Sequence, residues 1–504
     1  MKKLWFCMVL LCLCLTACGR GNTLIYGSED YDRINPAMDA RREIDLLIFD
    51  GLTDHDENNQ IVPRLAERWD YDADSLTYTF YLAKNVEWHD GEPFTAEDVK
   101  FTFEAIMDGN NRSCHAPDFE DVAEITVLDK YTVAIRLGQV NAAFLDYMTM
   151  PILPKHCLEG ENWQDSAFFR EPVGTGPYRL TDWDKGESIT LKRNKDYFAG
   201  SASIRKIIFK IVPDAAERYV QLCEGELDLA QIAPSDAQSA DLAHLELYTM
   251  PTADYRGLLY NFQNPYWRFN GDLIPALNYA IDRQAIVDTI LLGTGEPAYS
   301  PLQRNPFNND KVERYAYDPH KAQTLLGERG CELDGQGYWN RNGHRISFVI
   351  NADAKDELQI EIAQLVAQQL REIGLDVRAE APAEGLDWSG QQCCIIAWGS
   401  PFDADDHTYK VFSTGKKANV SGYSNGKVDG YLTQARQTTK EAERAAAYGA
   451  FQTALSETPA CTFLCYLDAV YAASPEIKGI DPDLLLGYQG MGIFRNICDW
   501  TKGR

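Results

Sequence analysis

The chain has 504 residues, with 75 acidic against 48 basic side chains and a net charge of −27. That balance excludes nucleic acid and anionic lipid surfaces as binding partners, because like charges repel. The length exceeds what one hydrophobic core supports, so two or three domains are expected.

Lys2 and Lys3 form a basic start, residues 4–15 an apolar run, and Leu15-Thr16-Ala17-Cys18 closes it with small residues. This is the layout of a secretory signal. The run is too short for a permanent membrane helix, which needs roughly 20 apolar residues. LTAC resembles a bacterial lipobox, so residues 1–17 are expected to be removed and Cys18 to carry a lipid. The alternative is an ordinary signal cut after Ala17. No second apolar run of membrane length follows, so the membrane is expected to hold the chain through the lipid only.

In chain order, TLIYGS reads as a short strand. An Asp/Asn/Pro loop follows, and then an apolar helix near 44–49. SLTYTFYL, 75–82, alternates Leu76, Tyr78, Phe80 and Leu82 against Thr77, Thr79 and Tyr81, the pattern of a half-buried strand. Asp90-Gly91 is a turn. Thr95 is a helix N-cap, and Asp98 three residues on gives an acidic capping box. Val99, Phe103 and Ile106 then recur at helical spacing. His89 and Asp90 are a candidate acid/base pair, but no third group orients the histidine, so this turn reads as scaffold.

Further strands are predicted at 126–136, 188–193 and 206–212, with a helix at 215–224. A second large segment opens near residue 264, with a helix at 275–290. A strand at 345–351, a long amphipathic helix at 354–373 and a strand at 375–381 follow. The last long helix is predicted at 439–456. Strand–helix–strand order implies α/β units with some parallel pairing.

Beyond Cys18 the cysteines are 114, 157, 223, 331, 393, 394, 461, 465 and 498, an odd number that cannot all pair. No CxxC spacing marks a zinc ribbon, so they read as buried free thiols, as in an organism from a reducing habitat. Cys114-His115 and His156-Cys157 offer metal donors, but nothing in the sequence places the two pairs together.

Several blocks then add up. AERW (66–69), LTYTFYLAKNVEWHDGEPFTAEDVKFTFEAI (76–106), PVGTGPYRL (172–180), CEGELDLA (223–230) and ALNYAIDRQAIV (276–287) occur in that order. Together they resemble successive blocks of extracellular solute-binding protein family 5, the peptide- and nickel-binding components of ABC importers. Pro275 and Leu277 depart from the family, which often has an arginine before the AIDR-type helix. The resemblance implies an α/β, two-lobed periplasmic-binding-protein fold of class II type. It has a hinge and an extra domain inserted in the first lobe. On that reading residues 18–48, 170–262 and 476–504 form lobe I, 49–169 the inserted domain, and 263–475 lobe II.

The stretch AWGSPFDADDHTYKVF, 397–412, matches the family's cleft loop. A tryptophan beside Gly and Pro more often lines a pocket than anchors a core. The implied ligand-site residues are Trp398, Pro401, Phe402, Asp403, Asp405 and Asp406. Trp398 and Phe402 would supply flat apolar walls, and one of the aspartates a charge for a ligand ammonium. Peptide binders place an aspartate three residues after the tryptophan, where this chain has Pro401. WGSPFD instead resembles the loop of nickel-chelate binders, yet the arginine that clamps the chelate in those proteins has no match around 139–143.

The implied function is an extracytoplasmic, lipid-anchored binding protein, at the outer face of the cell membrane or in the periplasm. It would capture short peptides between closing lobes and deliver them to ABC permease subunits. The alternative ligand is nickel or a metal chelate. A ligand sensor and a secreted hydrolase are the other classes. No GxSxG, HExxH or GxxxxGK[ST] supports an enzyme. Neighbouring carboxylates such as Asp405 and Asp406 arise by chance in so acidic a chain. The expectation is therefore no catalytic residue, no resident metal, no cofactor and a monomer.

Overall fold

The computed structural model describes residues 22–503. The signal at 1–17 and Cys18 lie outside the described residues. No helix among the described residues is long and apolar enough to cross a membrane.

One eleven-stranded sheet runs through the molecule. From one edge its strands are Asp376–Glu380, Ser347–Asn351, Cys393–Trp398, Glu246–Tyr260, Cys461–Ala473, Leu229–Ile232, Thr23–Ser28, Lys206–Ile211, Ser188–Arg193 and Tyr178–Asp184. Gly295–Pro297 joins beside Cys461–Ala473. Two strands at its centre are long, Glu246–Tyr260 with 15 residues and Cys461–Ala473 with 13. They pair antiparallel from Glu246↔Ala473 to Leu259↔Cys461. Both cross from one half of the protein to the other.

The apolar side chains sort into cores on either side of these strands. One core gathers residues from Leu24 to Leu229 with Ile477–Trp500. The other side holds two clusters, one around Trp267, Phe348 and Val366, the other around Phe412, Tyr448 and Phe463. The fold is therefore two-lobed and α/β, with two crossing strands as the join. A separate four-stranded antiparallel sheet, ordered Ala66–Asp72, Thr77–Leu82, Thr132–Leu137, Val122–Asp129, lies in the first half. Its Tyr78, Phe80 and Ile135 belong to the same core as Leu24 and Ile207, so it packs as an extension of that lobe.

Local rules explain most elements. Thr77–Leu82 alternates half-buried and buried residues, as the pattern requires. The helix Ala96–Met107 starts with Thr95 N donating to Asp98 Oδ2 at 2.9 Å and buries Val99, Phe103 and Ile106. Ser347–Asn351, Glu357–Glu372 and Asp376–Glu380 form a parallel unit with register Ser347↔Asp376.

Three expectations are corrected. The segment 126–136 is a hairpin, Val122–Asp129 and Thr132–Leu137, because Asp129 Oδ1 accepts Tyr131 N at 2.8 Å and closes a turn. The helix at 275–290 is two, Ile274–Tyr279 and Arg283–Thr289. Asp282 breaks it: its backbone is extended, and its side chain accepts Ala285 N at 3.1 Å as an N-cap. Near 44–49 only one turn, Asp45–Ile48, is helical.

The nine cysteines among the described residues are unpaired, but only Cys331, Cys393, Cys394, Cys461 and Cys465 are buried, and Cys114 is exposed.

Candidate functional site

The WHDG turn and the VGTGPY block lock together. His89 N donates to Gly174 O at 2.8 Å, Gly174 N donates to His89 Nδ1 at 3.2 Å, and His89 Nε2 donates to Gly176 O at 3.0 Å. That pattern fixes a neutral imidazole, and burial pulls its pKa down to about 4. A Cβ at Gly174 would fall 1.8 Å from Ile48 O, so only glycine lets this loop reach the helical turn. These residues are scaffold.

The 398–406 loop sits at the junction of the lobes. Trp398 ends the strand Cys393–Trp398 and packs half-buried against the core around Phe412. Gly399 has φ +147°, and a Cβ there would lie 1.9 Å from Ala253 O, so the chain turns tightly off the first crossing strand. Pro401 is buried. Phe402 stacks on His55 of the other lobe, with centroids 4.2 Å apart and planes at 12°. Asp403 N donates to Asp146 Oδ1 at 3.1 Å, and His55 Nε2 lies 2.9 Å from the same oxygen. Burial, then the neighbouring Arg495, pulls the His55 pKa down to about 4, so its ring is neutral. Burial, then Asp403, raises that of Asp146.

The three aspartates are not alike. Asp403 pairs with Arg444 at 2.7 Å. Asp405 and Asp406 belong to the first turn of the helix Asp405–Phe412 rather than to the loop. Asp405 is buried, accepts Tyr147 Oη at 2.9 Å and pairs with Arg436. Burial raises its pKa to about 6. Asp406 pairs with Lys410 at 2.6 Å, and that lysine reaches Asp118 Oδ1 at 2.6 Å across the junction. Each carboxylate expected to face a ligand ammonium thus has an internal cation.

Two cations in the same cluster have no carboxylate within ion-pair distance among the described residues. Arg41 is half-buried and donates Nη2 to Thr149 Oγ1 at 3.2 Å, its one side-chain hydrogen bond among the described residues. Arg495 donates to Asn59 Oδ1 at 2.9 Å and Asp56 O at 3.1 Å, with its guanidinium 5.4 Å from the Phe402 ring centroid. Burial lowers the pKa of both. A cavity of about 300 Å³ opens on the segment that carries Arg41, lined by Tyr31, Arg33, Asn35, Asp39, Arg42 and Asp45 among others. Sequence reading missed Arg41, His55, Asp146 and Arg495. They come from separate segments that only the tertiary fold assembles, and the single local signal is the Arg41-Arg42-Glu43 run before an apolar turn.

The arrangement can surround a small polar solute with aromatic walls and cationic donors, and the residues at the junction come from both lobes. The sequence profile of "Bacterial extracellular solute-binding proteins, family 5 Middle" matches residues 60–438. Protein XP55 of Streptomyces lividans is 30% identical over 468 residues, which cover 91% of this chain and 85% of that protein. The oligopeptide-binding protein AppA of Bacillus subtilis is 25% identical over 489 residues, 91% of this chain and 89% of AppA. The crystal structure of NikZ from Campylobacter jejuni in complex with Ni(L-His) superposes with a TM-score of 0.86. It is 35% identical, and the match covers 95% of this chain and 99% of NikZ. The family profile, these relatives and the two-lobed fold agree: this chain belongs to the bacterial extracellular solute-binding proteins of family 5.

Proposed function

We propose that the chain captures a small, carboxylate-bearing solute between its lobes and hands it to the permease of an ABC importer. Residues 18–48, 170–262 and 476–504 act as lobe I, 49–169 as its inserted domain and 263–475 as lobe II. Cys18 carries the lipid that keeps the protein at the membrane. The protein acts as a monomer and makes or breaks no bond.

One observation carries the ligand class. Among the described residues Arg41 and Arg495 lack carboxylate partners, whereas Asp403, Asp405 and Asp406 are paired by Arg444, Arg436 and Lys410. A half-buried cation without a partner is costly, and a bound carboxylate offsets that cost. A peptide ammonium would instead need a free carboxylate, and Pro401 holds the position where peptide binders supply one. The leading ligand is therefore a metal chelate built on amino-acid carboxylates. The similarity to NikZ, solved with Ni(L-His), supports it.

A short peptide is the second reading. It rests on the similarity to AppA; Asp54 beside His55 is 43% exposed, but its Oδ2 already lies 3.6 Å from Arg64 Nε.

A thermal-shift panel tests both. Nickel with histidine, nickel alone, and di- to hexapeptides are each run with and without chelator. A ligand at about 100 times its dissociation constant stabilises by roughly 2.7 kcal/mol. The expected shift needs metal and histidine together and vanishes with chelator. Shifts by metal-free peptides alone replace the leading ligand with the second. If Trp398→Ala and Phe402→Ala both shift as the parent does, the 398–406 loop is scaffold.

A further inference from the structure

The sequence offers two metal-donor pairs, and the structure keeps them apart. His115 turns to Asp39 O, at 2.9 Å from Nε2, and to Asp118, at 3.6 Å from Nδ1. His156 and Cys157 instead face Asp90. His156 Nε2 lies 2.8 Å from Asp90 Oδ2, and Cys157 Sγ lies 4.0 Å from the same oxygen. One donor atom from each of the three residues falls within 4.8 Å of the other two.

Both segments are held in place. Asp90 sits in a turn closed by Trp88 N to Glu92 O at 2.8 Å, and its Oδ1 accepts Glu92 N at 3.2 Å. His156 and Cys157 lie on the helical turn Lys155–Leu158, whose Lys155 N donates to Asp98 Oδ1 at 2.9 Å. Asp98 is the buried capping residue of Ala96–Met107, so one helix positions the second segment. The Trp88 ring lies 6.3 Å from the imidazole and shields one side. None of the three residues hydrogen-bonds a residue of the interlobe cluster, among the described residues.

We propose that Asp90, His156 and Cys157 form a second site, outside the ligand cleft, for a divalent cation of the zinc class. One imidazole nitrogen, one carboxylate oxygen and one sulfur suit zinc or cobalt, and a single hard oxygen does not suit magnesium or calcium. Tetrahedral bonds of about 2.0–2.3 Å put ligand atoms roughly 3.3–3.8 Å apart. The histidine–aspartate contact therefore opens, and the thiol–aspartate contact closes, each by up to about 1 Å on that geometry. The fourth position goes to water. Binding releases the Cys157 proton to solvent and leaves the imidazole proton on Nδ1, so no oxidant or reductant is needed. The bound cation would fasten the Asp90 turn to a helical turn 66 residues later in the chain.

Cobalt titration of the full chain, metal-stripped and kept reduced, tests the site. One equivalent of Co²⁺ is expected to give a near-ultraviolet thiolate-to-cobalt band and strong visible bands of tetrahedral cobalt, both displaced by zinc. Cys157→Ser abolishes the near-ultraviolet band, Cys114→Ser and Phe402→Ala leave it, and His156→Ala weakens cobalt binding by about tenfold or more. His156 is exposed, so its variant keeps the proposal testable if Cys157→Ser misfolds. The absence of the band in the parent overturns the proposal. So does its survival in Cys157→Ser, its loss in Phe402→Ala, or unchanged affinity in His156→Ala.

Discussion

Arg436 Nη2 lies 2.8 Å from Asp121 Oδ2, with side chains only 2% and 5% exposed. The arginine ends the helix Gly426–Arg436, and the aspartate immediately precedes the strand Val122–Asp129 of the four-stranded sheet in the other half. The pair is therefore a buried bond across the junction. Lys410 with Asp118 and Lys416 with Glu120, both at 2.6 Å, and Arg436 O accepting Ala142 N at 2.8 Å lie beside it. These contacts tie the two lobes together in the arrangement described here, and a ligand shifts any balance between this and a more open arrangement only by its differential affinity for the two.

Asp121→Asn removes the charge on one side of this bond while Arg436 keeps Asp405. A hydrogen bond to a charged group contributes about 1.5–3 kcal/mol. Apparent ligand affinity is expected to fall roughly ten- to a hundredfold, and small-angle scattering should give a larger radius of gyration at fixed ligand. The melting of each lobe should change little, since each has its own core. Unchanged affinity and radius would show that the pair is incidental to closure.

Stability should decline from about pH 6.5 to 9. Burial raises the pKa of Glu43 and of Asp45 to about 7. An acid with a raised folded pKa binds more protons in the native state, so stability is lost as pH rises through about 4 to 7. Burial opposes a charged His115, but Asp118 and Cys114 outweigh it and hold its pKa up to about 9. That contribution is complete below about pH 6.5, the unfolded value, and is lost as pH rises through 9. His55 and His89, lowered to about 4, act the opposite way, but only between about 4 and 6.5. Melting temperatures at pH 6.5, 7.5 and 9 check the trend. Glu43→Gln should flatten the part near 7, and a melting temperature that rises across this range would contradict it.

Cys18→Ala should release the protein from the membrane fraction into the soluble one. The test is fractionation followed by an alkaline wash. A variant that stays with the membrane means that something other than a lipid on Cys18 holds it.

Much of the fold was legible because local periodicity governs it. Ser188–Arg193 and the unit from Ser347 to Glu380 follow from alternation and helical spacing. Breaks were harder. Asp282 caps a new helix inside an apolar pattern that otherwise reads as continuous. At the site, the residues 398–406 could be singled out by turn chemistry and resemblance. Their partners could not, since Arg436 and Arg444 come from helices some 30–40 residues on and His55 and Arg495 from the two ends of the chain. An aspartate read in sequence as free for a ligand is, in the fold, the partner of an arginine that no local pattern reveals.

Calorimetric titration of nickel with histidine into the parent and into Arg41→Ala tests the central claim most directly. The prediction is a saturable site for nickel with histidine, present in the parent and kept in Cys157→Ser, that chelator abolishes. In Arg41→Ala affinity should fall about ten- to a hundredfold, the worth of one charge-assisted hydrogen bond to a carboxylate, about 1.5–3 kcal/mol, while the free protein melts no lower than the parent because an uncompensated cation is removed. Equal affinity in the variant, or a parent that takes up metal-free peptides and ignores nickel with histidine, would contradict the account of a carboxylate chelate held at Arg41.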